Sequence, residues 1–128
     1  GKLIEYNTSC SPVFVQRAGV TAIADGEPTA LATCARLRHM RDRLVTALRQ
    51  LDGVDVASPA GSMYAFFRIQ GSEDSMAFCR RLVTEARLGL APGIAFGPEG
   101  EGFVRWCFAA SEAKLDDGVA RLRRFLAA

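Results

Sequence analysis

The sequence predicts an α/β (α+β) domain in which helices cover a short sheet. In the first half of the chain, apolar residues recur at helical steps of three or four. After residue 53, short aromatic or branched runs alternate with helical patterns. The composition, 49% hydrophobic and 23% charged, is that of a globular protein, and 128 residues suffice to bury one core.

The charge balance disfavours some classes of partner. The 16 basic and 14 acidic residues leave a formal net charge of +2. Nucleic-acid and membrane-surface binding usually require a stronger field of one sign. No apolar run approaches the roughly 20 residues that span a bilayer. We therefore expect a soluble protein that binds neither nucleic acid nor membrane.

The four cysteines predict a reducing compartment. They are widely separated among apolar neighbours, form no C-x-x-C pair and are accompanied by a single histidine, His39, which disfavours a zinc site. No signal-peptide pattern opens the sequence. We expect buried free thiols and a cytoplasmic protein. The cysteines are Cys10, Cys34, Cys79 and Cys107.

Two helices are predicted before residue 53. Ser11-Pro12 indicates the N-cap and first residue of one helix, and Asp25-Gly26 indicates its end. A long helix is predicted from Ala30 to Leu51. The apolar side of the first helix is Val13, Phe14, Val20 and Ile23. The apolar stripe of the long helix is Leu31, Cys34, Leu37, Met40, Leu44, Leu48 and Leu51.

The second half predicts strands between two amphipathic helices. Strands are expected at 63–69 and 103–109, with shorter ones near 54–57 and 88–91. Ser72 is the expected N-cap of one helix, and Arg87 is expected in its last turn; Ser111 is the expected N-cap of the other. The first helix has its apolar positions at Met76, Cys79, Leu82, Val83 and Ala86. The second has them at Leu115, Val119, Leu122 and Leu126.

Arg105 is the residue that most requires an explanation. It lies in a strand that is otherwise apolar on both faces, where an unpaired guanidinium is costly. Its planar fork of donors matches a carboxylate through two parallel hydrogen bonds. From the residues alone, the alternatives are a bound carboxylate, an internal salt bridge and a position at a sheet edge.

Other patterns favour structural roles. The glycine-rich loop 93–102 lacks the spacing and the lysine of a phosphate cradle, so its glycines are expected to let backbone segments pass closely. Ser111 and Lys114 match an S-x-x-K motif, but a helix cap is the expected role of Ser111. His39 lies among arginines and is expected at the surface.

Three segments carry motifs that occur in a familiar order. The segment 59–66 is similar to the strand pattern G-A-[FM]-Y-x-F, with Ser62 in place of alanine. The segment 90–97 is similar to a P-G-x-x-F-G loop, and 100–109 to G-x-G-[YF]-x-R-x-x-[FL]-A. Together they resemble the C-terminal portion of class I and II aminotransferases, which are fold-type I pyridoxal-phosphate enzymes.

The resemblance implies an architecture and a site. Residues 1–27 would end the large cofactor-binding domain, and residues 28–128 would form the C-terminal small domain with its long interdomain helix. Arg105 would bind the α-carboxylate of the substrate, and Met63 would line the pocket. Residues 7–9 resemble a stretch near the neighbouring subunit's active site, and the intact enzyme would be a homodimer.

The resemblance also implies what this chain lacks. In the family, pyridoxal 5'-phosphate forms a Schiff base with a large-domain lysine, whereas the lysines here are Lys2 and Lys114. We therefore expect no catalytic, cofactor-binding or metal-binding residue in this chain. It is expected to be an inactive fragment of an enzyme that transfers an amino group between an amino acid and a 2-keto acid.

Two alternatives belong to other functional classes. One is a non-catalytic α/β module that binds or senses an amino acid. The other is an RNA-binding sheet that displays aromatics, which the small net charge and the lack of flanking basic clusters disfavour.

Overall fold

The computed structural model of the chain describes residues 1–128, apart from the side chain of Thr8. The described residues divide into two compact units, Gly1–Ala35 and Arg36–Ala128. The boundary lies inside the long helix. The two units are described separately.

The first unit is helical. It contains α1 (Lys2–Thr8), α2 (Val13–Asp25) and the beginning of α3 (Glu27–Leu48). The predicted bounds of α2 are confirmed, but its N-cap is Pro12, without a side-chain cap, rather than Ser11. Gly26 keeps right-handed helical angles, so α3 follows directly and no left-handed cap ends α2.

The predicted apolar side of α2 is not buried. No residue of α2 is buried, because the described part of this unit has no core for the helix to cover. Leu31 and Cys34 at the start of α3 are likewise exposed. The exposed apolar residues of α2 include Val13, Phe14, Val20 and Ile23.

The second unit contains the core. Its part of α3 buries Met40, Leu44 and Leu48, as the helical period predicts. The helix begins and ends three residues earlier than predicted. Leu51 is still buried, although it follows the helix.

The sheet has four antiparallel strands in the order β1-β2-β4-β3. β4 is therefore an inner strand, paired with β2 on one side and β3 on the other. In the register of β2 and β4, Phe66 lies opposite Arg105. The strands are β1 (Val54–Asp55), β2 (Tyr64–Ile69), β3 (Ala91–Pro92) and β4 (Phe103–Cys107).

One face of the sheet is covered by apolar packing. Side chains alternate between the faces along a strand, so Ala65, Phe67 and Ile69 of β2 point into the core. Val104 and Trp106 of β4 do the same. The predicted fold class, a short sheet covered by helices, is confirmed.

Two helices complete this unit: α4 (Ser75–Ala86) follows β2, and α5 (Glu112–Leu126) follows β4. α5 buries Leu115, Val119 and Leu122, and its N-cap is Ser111, both as predicted. Leu126, the last predicted position of that stripe, is partly buried.

The prediction for the start of α4 is wrong. Asp74, not Ser72, is the N-cap, and its carboxylate accepts from Ala77 N–H at 2.8 Å. Ser72 is fully buried instead, because its hydroxyl lies 2.7 Å from Ile69 O and 2.9 Å from Gly102 O. These carbonyls satisfy a group that would be costly to bury alone.

The buried stripe and the end of α4 also differ from prediction. Met76 and Val83 are exposed, while Ser75 and Phe78 are buried beside Cys79 and Leu82. Consecutive residues are about 100° apart around a helix, so burial of Ser75 and Phe78 in place of Met76 and Val83 displaces the stripe to one side. Arg87 lies just after the helix, as its C-cap, rather than in its last turn.

The cysteines are free, but the expected burial holds for one. Cys79 is buried, which raises the pKa of its thiol to about 11. Cys10 and Cys34 are exposed in the coreless first unit, and Cys107 is exposed on β4. Among the described helices, none combines the length and hydropathy needed to cross a membrane.

Candidate functional site

The candidate site lies on the sheet face opposite the core. The alternation that points Phe67 and Trp106 inward points Tyr64, Phe66 and Arg105 outward. This outer face therefore carries aromatic and charged side chains from two paired strands. Arg68 and Phe103 extend the same face, opposite each other in the register.

Arg105 contacts two aromatic rings. Its guanidinium carbon is 4.2 Å from the centroid of Tyr64 and 4.1 Å from that of Phe96. Both distances are within the range of cation–π contacts. The side chain is half-buried. The two rings stabilise the cation and hold it on this face of the sheet.

The structure bears on two of the three local alternatives for Arg105, the sheet edge and the internal salt bridge. β4 is an inner strand, so Arg105 is not at a sheet edge. Among the residues that the structure describes, no carboxylate forms an ion pair with it. The arrangement can accept an anion, because the donors of a guanidinium project from the edge of its plane.

The aromatic side chains continue beyond Arg105. The rings of Phe66 and Phe103 are stacked, with centroids 5.0 Å apart. Phe66 also meets Phe96 edge to face at 6.1 Å, and Arg68 lies 4.4 Å above the ring of Phe103. An aromatic array of Phe66, Phe96 and Phe103 thus adjoins Arg105.

Sequence reasoning singled out Arg105 but missed the aromatic residues around it. The period-two alternation of 64–69 contained the signal for Tyr64 and Phe66, since both share the outward face with Arg105 through the register. Phe96 is the aromatic position of the P-G-x-x-F-G pattern, but no periodicity in the sequence indicates that its ring meets Arg105. It comes from a loop that only the tertiary fold brings to the sheet.

The glycine-rich loop carries Phe96 and forms two short 3-10 turns, Gly93–Phe96 and Pro98–Gly100. Gly93 and Gly100 pack backbone against backbone. A Cβ added to Gly93 would lie 1.9 Å from Gly100 O, and one added to Gly100 would lie 2.2 Å from Gly93 O. The prediction that these glycines permit close backbone approach is confirmed.

Two polar residues connect this loop to α4. Glu101 Oε1 accepts from Ser75 N–H at 2.7 Å and from Gly102 N–H at 3.0 Å. The fully buried Ser75 hydroxyl accepts from Ile94 N–H at 3.2 Å. The pKa of Glu101 is lowered, first by a side-chain hydrogen bond with Ser75 and then by the backbone N–H groups, because these bonds favour the carboxylate.

The other residues singled out from the sequence lie at separate places. Met63 directly precedes β2 and is 40% exposed, and its carbonyl accepts from Phe108 N–H at 2.9 Å. Asn7 and Ser9 belong to the first unit, at the end of α1. Their suggested proximity to another subunit stays a prediction.

His39 and Ser111 have the structural roles expected of them. The His39 side chain is 60% exposed, with Nε2 3.3 Å from a carboxylate oxygen of Glu112. The Ser111 hydroxyl accepts from Lys114 N–H at 3.4 Å as the N-cap of α5. Lys114 is exposed in the first turn of that helix.

The second unit thus combines a small antiparallel sheet, apolar packing on one of its faces and an arginine among aromatic side chains on the other. The family model "Aminotransferase class I and II" matches residues 5–122. The chain belongs to this family, and the predicted resemblance is confirmed.

Individual relatives support the same assignment. The chain is 35% identical to the "Probable N-acetyl-LL-diaminopimelate aminotransferase" of Bacillus subtilis, over 98% of this chain and 32% of that protein. The solved aromatic aminotransferase from Pyrococcus horikoshii OT3 superposes with a TM-score of 0.87 at 31% identity, over 98% of this chain and 34% of that one.

A third comparison agrees. The aspartate aminotransferase from Rhizobium meliloti superposes with a TM-score of 0.89 at 26% identity, over 98% of this chain and 34% of that one. The chain therefore spans about a third of the length of the relatives that it matches.

Proposed function

We propose that this chain supplies the substrate-carboxylate site of an aminotransferase that moves an amino group between an amino acid and a 2-keto acid. In this proposal Arg105 binds the α-carboxylate through the edge of its guanidinium. The role orients the substrate. It does not include proton transfer, since an arginine remains protonated in proteins.

The arrangement of Tyr64, Arg105 and Phe96 carries this proposal. Both rings lie within cation–π distance of the guanidinium carbon, and the donors at the guanidinium edge are the groups that can form two parallel hydrogen bonds with a carboxylate. The absence of a described ion-pair partner leaves those donors for a ligand. Family membership supports amino and keto acids as the ligands.

Met63 is proposed to contribute to the pocket. It is 40% exposed and immediately precedes Tyr64, whose ring contacts Arg105. A flexible, polarisable side chain at this position would adapt to different substrate side chains. The residues that select one substrate are not assigned.

The described residues do not fit covalently bound pyridoxal 5'-phosphate. Lys2 is the first residue of α1, and Lys114 is exposed where α5 begins. Both side chains are exposed, whereas a lysine that forms a Schiff base is activated by an apolar pocket or by a second cation beside it. We derive no step through the cofactor and propose that other residues of the intact enzyme hold it.

The proposal therefore requires more than this chain. Its relatives are about three times as long, and we expect the 128 residues alone to be inactive. A homodimer is the assembly that we propose for the intact enzyme. The free thiols support the proposal of a reducing, cytoplasmic compartment.

The test is a chimera in which this chain replaces the matching third of the Pyrococcus horikoshii enzyme. Arg105→Ala should lower kcat/KM for amino-acid substrates about a hundredfold, mainly through KM. Each charge-assisted hydrogen bond contributes about 1.5–3 kcal/mol, so the loss of two costs at least about 3 kcal/mol, and a hundredfold is the lower limit of the effect. The cofactor absorbance should stay unchanged.

Arg68→Ala is the matched control, since Arg68 stacks on Phe103 of the same face but lies apart from the rings that flank Arg105. It should leave kcat/KM within about twofold, because exposed charges contribute little. An active chimera in which Arg105→Ala leaves KM unchanged would contradict the proposal.

A further inference from the structure

We infer that Glu101 is a positioning residue, which acts through the glycine-rich loop to hold the Phe96 ring against Arg105. The inference deepens the proposed function, on which its significance for substrate binding rests. The contact itself is a property of this chain and is tested independently.

Hydrogen bonds hold the two ends of the glycine-rich loop. Ile94 at its beginning donates to the Ser75 hydroxyl at 3.2 Å, and Gly102 at its end donates to Glu101 at 3.0 Å. Glu101 also accepts from Ser75 N–H at 2.7 Å. Both ends of the loop are thus connected to Ser75, the first residue of α4.

The hydrogen bonds of Ser75 attach the loop to a buried part of the fold. Ser75 is fully buried, and α4 packs its buried side into the core, so the anchor does not move with the loop. Gly93 and Gly100 are in backbone contact, which closes the loop on itself. Removing the Glu101 carboxylate would leave Ser75 N–H without its acceptor and release the C-terminal end of the loop.

The glycine-rich loop carries the Phe96 ring that contacts Arg105. Phe96 lies two residues after Ile94, in the 3-10 turn that the Ser75 hydroxyl anchors. Its ring centroid is 4.1 Å from the guanidinium carbon and 6.1 Å from the Phe66 centroid. A displaced loop would uncover one face of the guanidinium and give the side chain more than one plane in which to meet a carboxylate.

A purely structural role makes a different prediction. If Glu101 only capped α4, its removal would lower stability but leave the aromatic contact of Arg105 intact. Ring currents provide the readout, because a proton above an aromatic face resonates upfield. The Nε–H of Arg105 is a direct reporter of the Phe96 ring, because the guanidinium carbon lies 4.1 Å from the centroid of that ring.

The experiment uses the full 128-residue chain labelled with ¹⁵N-arginine. Arg105→Lys assigns the Nε–H signal of Arg105, and Phe96→Leu defines the shift that remains without the Phe96 ring. Glu101→Ala should move the signal most of the way to the Phe96→Leu position. Glu101→Gln keeps an acceptor oxygen and should restore most of the upfield shift.

Glu99→Ala is the matched control. Glu99 is an exposed carboxylate of the same loop, and the described contacts include no hydrogen bond from its side chain. Its replacement should leave the signal in place. If Glu101→Ala fails to fold, Glu101→Asp, which keeps the charge but withdraws it by one methylene, should give a partial shift.

An unchanged Arg105 signal in a folded Glu101→Ala or Glu101→Asp chain would overturn the inference. Titration with acetate separates this failure from that of the proposed function. If Glu101→Ala moves the signal but wild-type Arg105 does not respond to acetate, the positioning role stands and carboxylate binding fails.

Discussion

Arg105 illustrates what a single residue conveys before a fold is known. A guanidinium in an apolar strand indicates an anion, a salt bridge or an edge position, and these alternatives cannot be separated locally. The sheet order excludes the edge, and the described contacts include no carboxylate partner. The rings of Tyr64 and Phe96 add a feature that the residue type does not imply: the guanidinium carbon lies 4.2 Å and 4.1 Å from their centroids.

Gly118 is a residue whose role becomes evident only from packing. A Cβ at this position would lie 2.7 Å from Cζ2 of Trp106, in the core between α5 and β4. We expect Gly118→Ala to lower the free energy of unfolding by about 1–2 kcal/mol. Overpacking costs about 1–3 kcal/mol and outweighs the gain of up to about 1 kcal/mol in helix propensity.

Chemical denaturation of the variant and the wild type measures this difference. Gly19→Ala in α2 is the control, because a Cβ there meets nothing within 4 Å. It should be neutral or stabilise by up to about 1 kcal/mol. Equal effects at the two glycines would mean that Trp106 does not limit the space beside Gly118.

At the scale of elements, the periodic patterns predict the buried stripes of α5 and of α3 from Met40 onward, but not those of α2 and α4. The successful stripes are predictable because apolar spacing reflects burial. The start of α4 differs from prediction because Ser72 and Asp74 are both good N-caps, and choosing between them depends on Gly102, thirty residues away.

The end of α4 offers a prediction about the cap. Arg87 adopts left-handed angles, with φ of 52°, and the following Leu88 N–H donates to Leu82 O at 3.0 Å. A side chain is unfavourable in this conformation, whereas glycine is not. We expect Arg87→Gly to raise the free energy of unfolding by about 0.5–1 kcal/mol, as measured by thermal and urea denaturation.

Arg80→Gly provides the comparison, since Arg80 is an exposed arginine inside the same helix. It should destabilise the protein by about 1 kcal/mol, because glycine is a poor helix former. A loss of stability in Arg87→Gly similar to that in Arg80→Gly would contradict the assigned left-handed cap.

At the scale of the whole molecule, the two units differ in whether their described residues form a buried apolar core. Every residue of the buried apolar cluster lies between positions 40 and 122. The first unit instead exposes large apolar side chains on α1 and α2. Contiguous exposed apolar surface is characteristic of segments that pack against another surface.

We therefore expect residues 36–128 to fold without the first unit. Deleting residues 1–35 should change the free energy of unfolding by less than about 1 kcal/mol, because none of the described side chains in that range is buried. Circular dichroism during urea denaturation measures it. Binding of an apolar dye should fall in the same variant, as the exposed side chains of α2 are gone.

A shortened chain that lacks a cooperative transition would contradict this expectation. The domain boundary predicted at residues 27 and 28 is a separate matter and stays a prediction. It concerns the division of the intact enzyme, whereas the compact units divide inside α3.

The sequence by itself determined the fold class, the main stripes of the core, the family and the unusual position of Arg105. These depend on periodicity and on ordered motifs, which are local along the chain. The tertiary structure decided that Tyr64 and Phe96 contact Arg105, that Ser72 and Ser75 are buried, and that α2 has no core beneath it. These features depend on contacts between residues that are distant in the sequence, and a local sequence pattern does not indicate which distant residues will meet.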